Sequence, residues 1–316
     1  MTTRIVMKSK PLAGITVIDF SYRLPGPFCG KILSDLGAHV IKIEDQIYKD
    51  PFLADDFSQF DPSFTSWYEK LNAEKKVLRF DFNSTEDQQK IFELVNTSDA
   101  IIMGLPQKLR AKLKLTNEEL KFKRAFVVIE LHASKKEQKS MHDLNALALS
   151  GLLSLHIGSQ INKNEKIINP PFLPIAGIAF GHKAATDLLA SLISAQKSKQ
   201  SVFTKTYLDE VTNELLGIFW TDKDRATSRT SFLHNGHYPC YSIYQTKDLR
   251  YIALAAVEEK FWIKFCEVFQ IDTTFDRFYN EDDQLFHIVS NALSALTLAE
   301  IESKTVNIDL CLTPIL

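Results

Sequence analysis

The sequence predicts an α/β protein, a Rossmann-like and mainly parallel sheet accompanied by a second, smaller α+β domain. Residues 11–44 read as strand, Gly/Pro turn, helix and second strand, the βαβ unit that opens a nucleotide-binding sheet. Strand-length apolar runs then alternate with helical spacings as far as about residue 200, and beyond Arg225 the texture changes to short strands around a turn.

Ile15, Val17, Ile18 and Phe20 form an apolar run of buried-strand length. Gly26 and Pro27 stand where a helix begins and Gly37 where it ends, and such a helix start offers unpaired amides to an anion. Val40 to Glu44 is the second strand. From Asp45 to Lys70 the chain is polar and aromatic with no sustained period, which predicts a long loop over the nucleotide edge. Val77–Asp81 alternates as a short strand, Thr85–Asn96 has helical spacing with Ser84 as its cap, and Ala100–Met103 is a strand. Thr116-Asn-Glu-Glu119 predicts a short capped helix, and Phe126–Leu131 a buried strand. His142–Leu155 and Ile175–Ala195 both carry apolar residues at helical spacing, with Gly151 and Gly181 inside them. Lys197–Ser201 is a polar break before a helix over about 205–219. Tyr238–Asp248 and Tyr251–Ala256 predict two strands flanking a turn, and Glu259–Phe269 a helix. The boundaries expected from this pattern are a large domain over 1–200, a helical linker over 201–230 and a small domain over 231–316.

At 316 residues and 45% hydrophobic, the chain exceeds what one core usually holds, since single cores stop growing near ~250–300 residues. The 37 Lys and Arg against 39 Asp and Glu give a net charge of −2, so no global field favours nucleic acid or a membrane as partner. Cys29, Cys240, Cys266 and Cys311 are scattered, and the N-terminus lacks a signal-like apolar core, which predicts free thiols in a reducing cytoplasm. No apolar run approaches the ~18–20 residues needed to cross a bilayer. His234-Asn-Gly-His237 with Cys240 is too loosely spaced to predict a metal site, and no metal is expected. GxGxxG, P-loop, HExxH and GxSxG patterns are absent, which removes most dehydrogenase, NTPase, zinc-protease and hydrolase readings.

Leu12-Ala-Gly, Asp19-Phe-Ser, Pro25-Gly-Pro-Phe-Cys29 and Leu36-Gly-Ala-His-Val-Ile-Lys-Ile-Glu44, in that order, resemble the opening of the family III CoA-transferases (CaiB/BaiF type). That group includes formyl-CoA transferase, carnitine CoA-transferase and the α-methylacyl-CoA racemases. The resemblance runs from Leu12 to Pro314, through Leu71-Asn-Ala-Glu-Lys-Lys76 and Asp99-Ala-Ile-Ile to Cys311-Leu-Thr-Pro. Family members usually continue beyond this point to return to the large domain, so the resemblance implies a homodimer while the end at Leu316 leaves an expected interlocking segment missing.

Met141-His-Asp-Leu-Asn-Ala-Leu-Ala-Leu-Ser-Gly151 resembles the racemase branch more closely than the transferase branch. The resemblance implies that Asp143 is the transferase nucleophile, that His142 marks racemases, and that Glu258 supports the His from the small domain. The racemase aspartate opposite His142 falls at Gly177, and no carboxylate lies between Glu165 and Asp187. Position alone would make Asp143 a helix N-cap and His142 an exposed turn residue. For coenzyme A or acyl-CoA, taken as substrate, the implied contacts are Arg23, Leu24, Pro25 and Gly26 at the first helix start, then Asn72, Lys75 and Lys76, then Lys112. Asp45 stands where transferases often carry an Arg toward the nucleotide, and the cations from Lys108 to Lys114 and from Lys121 to Arg124 otherwise form solvated faces.

The expected function is CoA transfer between small carboxylic acids through Asp143, with acyl-CoA and those acids as partners. The alternatives are a racemase-like epimerase using His142, and a non-catalytic paralogue that binds an acyl-CoA or a full-length partner subunit.

Overall fold

The computed structural model describes residues 10–53, 58–120, 124–136, 140–160, 169–227, 231–272, 274–279 and 281–315. The chain divides into two compact units, one of residues 1–150 and 170–221, the other of 151–169 and 222–316.

In the first unit, six strands pair entirely in parallel in the order β3-β2-β1-β4-β5-β6: β1 (Thr16–Phe20), β2 (His39–Asp45), β3 (Lys76–Phe80), β4 (Ala100–Met103), β5 (Val127–His132) and β6 (Val202–Tyr207). This is the doubly wound order, which reverses between β1 and β4, and ligands of such sheets bind outside the carboxyl ends of the strands at that reversal. The central strands are covered on both faces, so they are near-continuous apolar runs. Ile18, Ile101 and Val128 turn to the face covered by α3 (Thr85–Thr97) through Ile91 and Val95. Val17, Ile102 and Ile129 turn to the other face, covered by α1 (Pro25–Asp35) and α7 (Ile175–Ser198) through Leu33, Ala184 and Leu188.

Charge is buried in the same sheet. Asp19, Lys42 and Glu44, together with Asp50, are fully buried. Lys75 Nζ spends its three protons on Asp19 Oδ2 (2.9 Å), the Pro27 carbonyl (2.7 Å) and Asn72 Oδ1 (3.0 Å). Lys42 Nζ donates to the Ser21 carbonyl and lies 3.6 Å from Glu44 and 3.4 Å from Asp50. Asp50 in turn accepts from the Arg23 amide at 3.1 Å, while Glu44 accepts from Tyr68 (2.9 Å) and Arg79 (3.1 Å). Burial raises the Asp19 pKa, but Lys75, Lys42 and the Ser21 hydroxyl outweigh it and hold the carboxyl below its ordinary value.

The second unit is a three-stranded antiparallel sheet, β7 (Tyr241–Gln245), β8 (Tyr251–Ala255) and β9 (Leu312–Pro314), in that order. Its core joins Tyr244, Ile252 and Leu254 to Trp262 and Phe265 of α10 (Glu259–Phe269), Val289 of α11 (Gln284–Ser294) and Ile301 of α12 (Leu298–Thr305).

Four departures from the sequence expectation have local causes. The stretch expected as loop over 45–70 contains α2 (Ser63–Asn72), whose Phe64, Trp67, Tyr68 and Leu71 have helical spacing. Residues 202–207 are the edge strand β6 rather than a linker and helix start; their alternating β-branched and aromatic side chains pair with all of β5, and α8 begins only at Leu208 (Leu208–Phe219). The helix expected over 142–155 breaks into α5 (Asp143–Ser150) and α6 (Leu152–Gln160), because Gly151 takes φ +83°, outside the helical region. Thr116–Glu119 closes a single hydrogen-bonded turn, and the short helix of that region is instead α4 (Gln107–Lys112). A five-residue helix, α9 (Asp222–Ala226), follows α8.

Replacing Asp19 by Ala strands the Lys75 ammonium in the core, and is expected to cost about 3–5 kcal/mol in urea unfolding. Asp19→Leu combined with Lys75→Met should recover most of that loss; a double variant no more stable than the single one would show that the pair is not the unit of stability. The depressed Asp19 pKa contributes stability present above the ordinary carboxylate value and lost as pH falls through the lowered one.

Candidate functional site

A cavity of about 920 Å3 opens over the carboxyl ends of the first unit's strands. Ser21 after β1, Asp45 at the end of β2, Phe82 after β3, Gly104 after β4 and Leu131 in β5 all line it, which places it at the reversal of strand order. Every residue of its wall belongs to the first unit.

The wall differs around its perimeter. On the β2 side Phe52, Phe64 and Trp67 form an aromatic cluster with ring centroids 5.1–6.0 Å apart. Exposed Tyr48 lies beside them in the wall. Three exposed cations, Arg23, Lys49 and Lys112, line the cavity. Lys112 donates to Asn83 Oδ1. Asp45 lines it too, but its Oδ1 accepts from the amides of Ile47 (2.7 Å) and Tyr48 (3.0 Å) and so shapes the turn that presents Tyr48. Asp143 and His142 line the same wall, together with the apolar Leu24, Met141, Pro174, Phe180 and Leu208.

Asp143 is the first residue of α5, yet its carboxylate does not cap that helix. Oδ1 accepts from the Gly177 amide at 2.6 Å, with the Ala176 amide as a second donor, so the carboxylate closes the open N-terminus of α7. Pro174, at the cap position of α7, supplies no side-chain bond of its own. Burial raises the Asp143 pKa above its ordinary value, and the Gly177 and Ala176 amides only partly offset that rise. His142 is exposed, its amide bonded to Asn145 Oδ1 at 3.0 Å.

The residues singled out from sequence divide into three groups. Asp143, His142, Arg23, Leu24, Pro25, Gly26 and Lys112 meet in this one cavity. Asn72 and Lys75 do not reach it: both are buried, and the three Lys75 donors are engaged by Asp19, Pro27 and Asn72, leaving none for a phosphate. Lys76, exposed at the start of β3, is also outside the wall, and Glu258 is exposed in the second unit at the residue before α10. The helix start itself is a poorer anion cradle than expected. Pro25 and Pro27 carry no N–H, and Gly26 serves packing, since a Cβ there would lie 2.2 Å from the Ser21 side chain.

Lys49, Trp67 and the α7 amides were not singled out from sequence. Trp67 was legible in the spacing of α2, whereas the amides of Ala176 and Gly177 have no side-chain signature. Arg110, grouped with solvated cations, instead pairs with buried Glu130 at 3.1 Å; His132, burial and Arg110 set the Glu130 pKa, with the hydrogen bond from His132 foremost in lowering it to about 2. Among the described residues no three ligating side chains converge as a metal site, and no helix is long and apolar enough to cross a membrane.

The doubly wound strand order, with a cavity at its switch point into whose wall both Asp143 and His142 fall, defines an α/β fold of the class that takes its ligand at the carboxyl ends of the strands. A profile of CoA-transferase family III matches residues 12–316, and the chain belongs to that family. The CaiB/BaiF CoA-transferase family protein ZK892.4 of Caenorhabditis elegans is 25% identical over 96% of this chain and 86% of its own length. The alpha-methylacyl-CoA racemase of Homo sapiens is 24% identical over 79% of this chain, a match that spans only 63% of the racemase. A crystal structure of a CaiB/BaiF family protein from Brucella suis shares the fold, with a TM-score of 0.76 at 17% identity, covering 98% of this chain and 85% of that one.

Because ionising Asp143 is disfavoured in the folded state, stability falls as pH rises from the ordinary aspartate value through the raised one. Asp143→Asn, which keeps an acceptor for the two amides, is therefore expected to melt at or above the wild-type temperature at pH 7, with the difference vanishing near pH 3. A lower melting temperature at pH 7 would contradict the sign of this assignment.

Proposed function

We propose that this protein transfers CoA between carboxylic acids with Asp143 as nucleophile. The observation that carries the reading is the Asp143 carboxylate, seated on the Gly177 amide in the wall of the switch-point cavity and made more basic by burial. In this reading one Asp143 oxygen attacks the thioester carbonyl of the donor acyl-CoA, giving a mixed anhydride and CoA thiolate. The thiolate then attacks the aspartyl carbonyl of the anhydride, forming an aspartyl thioester and releasing the donor acid. The acceptor carboxylate attacks that thioester to form a second anhydride, and the thiolate reopens it at the acceptor's carbonyl, so new acyl-CoA leaves and Asp143 is regenerated. The activated bond is never given to water, and the half-burial of Asp143 favours that outcome by limiting water beside it.

Arg23, Lys49 and Lys112 place positive charge in the wall for the phosphates of CoA, and the Phe52, Phe64 and Trp67 cluster offers flat apolar surface to its nucleotide. A second reading, epimerisation α to the thioester with His142 as base, draws on the exposure of His142 in the same wall and on the likeness to the racemase. It requires a proton donor on the opposite face, and position 177 supplies no side chain for that role.

Incubation with acyl-CoA and a free carboxylate acceptor should yield a new acyl-CoA, and Asp143→Asn should reduce its formation at least about 1,000-fold. Deuterium incorporated from D2O at the α-carbon of a 2-methylacyl-CoA, lost in His142→Ala but kept in Asp143→Asn, would instead establish epimerisation. Lys49→Ala and Lys112→Ala should each weaken CoA binding by roughly two- to fivefold, more at low salt than at high. Lys76→Ala should leave calorimetric affinity unchanged, and an equal effect at Lys76 would displace the nucleotide from this wall.

A further inference from the structure

Two glycines four residues apart on α7, Gly177 and Gly181, meet the end of α1 that borders the cavity. A Cβ built on Gly181 would come within 2.8 Å of both the Pro25 carbonyl oxygen and Phe28 Cδ1, contacts that real side chains do not make. A Cβ on Gly177 would lie 3.2 Å from Leu24 Cδ2 and 3.5 Å from Asp143 Oδ1. The bare faces of these residues therefore set how closely α7 approaches residues 24–28. Phe28 completes the contact edge-on against His182, with ring centroids 4.9 Å apart. The N-terminus of α7 is also what holds Asp143, so the helix spacing fixes where that carboxylate stands relative to the turn lining the cavity.

We infer that Gly177 and Gly181 are positioning residues, holding the α7 amides, and through them Asp143, at the distance from the Leu24–Gly26 turn that productive transfer requires. The inference rests on Asp143 being the nucleophile proposed above. Neither glycine touches substrate in this role; Gly181 acts through helix packing and Gly177 through its amide.

The test compares Gly177→Ala and Gly181→Ala with Gly217→Ala, a control on α8 where an added Cβ meets nothing within 4 Å. Each full-length protein is labelled at aspartate 13Cγ, and the Asp143 resonance is identified by its loss in Asp143→Asn. Moving the amides away removes the groups that favour the ionised carboxylate, so the Asp143 titration should shift to higher pH in both α7 variants and stay in place in the control. Transfer kcat should fall between about 10- and 100-fold, as a misplacement near 1 Å does, while KM for acyl-CoA changes less than threefold. If Gly181→Ala does not fold, Gly177→Val decides the matter: the far end of the Leu24 side chain can yield to a single methyl, whereas a branched side chain there also crowds Asp143 Oδ1, 3.5 Å from the Cβ position. The inference is overturned if the folded variants keep wild-type titration, or if titration moves with no fall in kcat. A wild type without transferase activity would instead sink the proposed function, and the titration comparison would still decide whether the glycines place the carboxylate.

Discussion

Two buried lysines hold the first unit's cavity in shape. Lys75 ties the carboxylate of Asp19 on β1 to the Pro27 carbonyl in α1 and to Asn72 at the end of α2, and Lys42 ties the Ser21 carbonyl to Glu44 and Asp50. The chain between these anchors, Ser21 to Gly26, is the turn that forms the floor of the cavity. With Arg79 on Glu44, three cations meet three carboxylates. Such buried pairs rarely add stability over a well-packed apolar core, because the charges must first be desolvated. Their effect is directional: a hydrophobic contact tolerates sliding, whereas a three-coordinate ammonium fixes the positions of the groups around it. Arg23 at φ +63°, a conformation unfavourable to a residue with a side chain, is held in that frame by the bond from its amide to Asp50.

The same frame explains why some residues that resemble ligand contacts lie outside the cavity wall. Lys75 and Asn72 sit in a stretch whose resemblance to the family suggested CoA binding, yet the structure uses both to fasten α2 and α1 to the sheet. Sequence shows that a cation is present, but whether its charge is already taken depends on partners 48 and 56 residues away. Arg110 is the converse case, a cation in a Lys-rich run that turns inward to Glu130.

What was legible follows from how local each signal is. The central strands and the helices α1, α3, α7 and α10 were readable because burial on both sheet faces forces continuous apolar runs, and because amphipathic periods extend over several turns. The edge strand β6 was missed because its exposed positions are Phe203 and Lys205 while Thr206 is buried, so polarity does not follow burial, and because it spans only six residues. The break at Gly151 turns on one φ angle. In the cavity, the family motifs pointed to Asp143, His142 and the turn after β1, all of which line the wall. The partner of Asp143 was not legible at all, since it is a backbone amide 34 residues onward.

That partner bears on what kind of carboxylate Asp143 can be. Oxygen at an exposed surface is strongly hydrated and must shed water before attacking a carbonyl, whereas a half-buried carboxylate has already exchanged that water for fixed amide dipoles. The dipoles also limit how basic it becomes, since each N–H that stabilises the anion opposes the effect of burial. In the proposed transfer the aspartyl group is by turns the attacking oxygen and the displaced one, so it must leave as readily as it attacks. A strongly basic carboxylate would attack well and leave poorly, and a strongly stabilised one the reverse. Partial burial set against two amides at a helix start places Asp143 between those limits, and because the amides belong to α7, the packing of that helix sets the part of the balance that opposes burial.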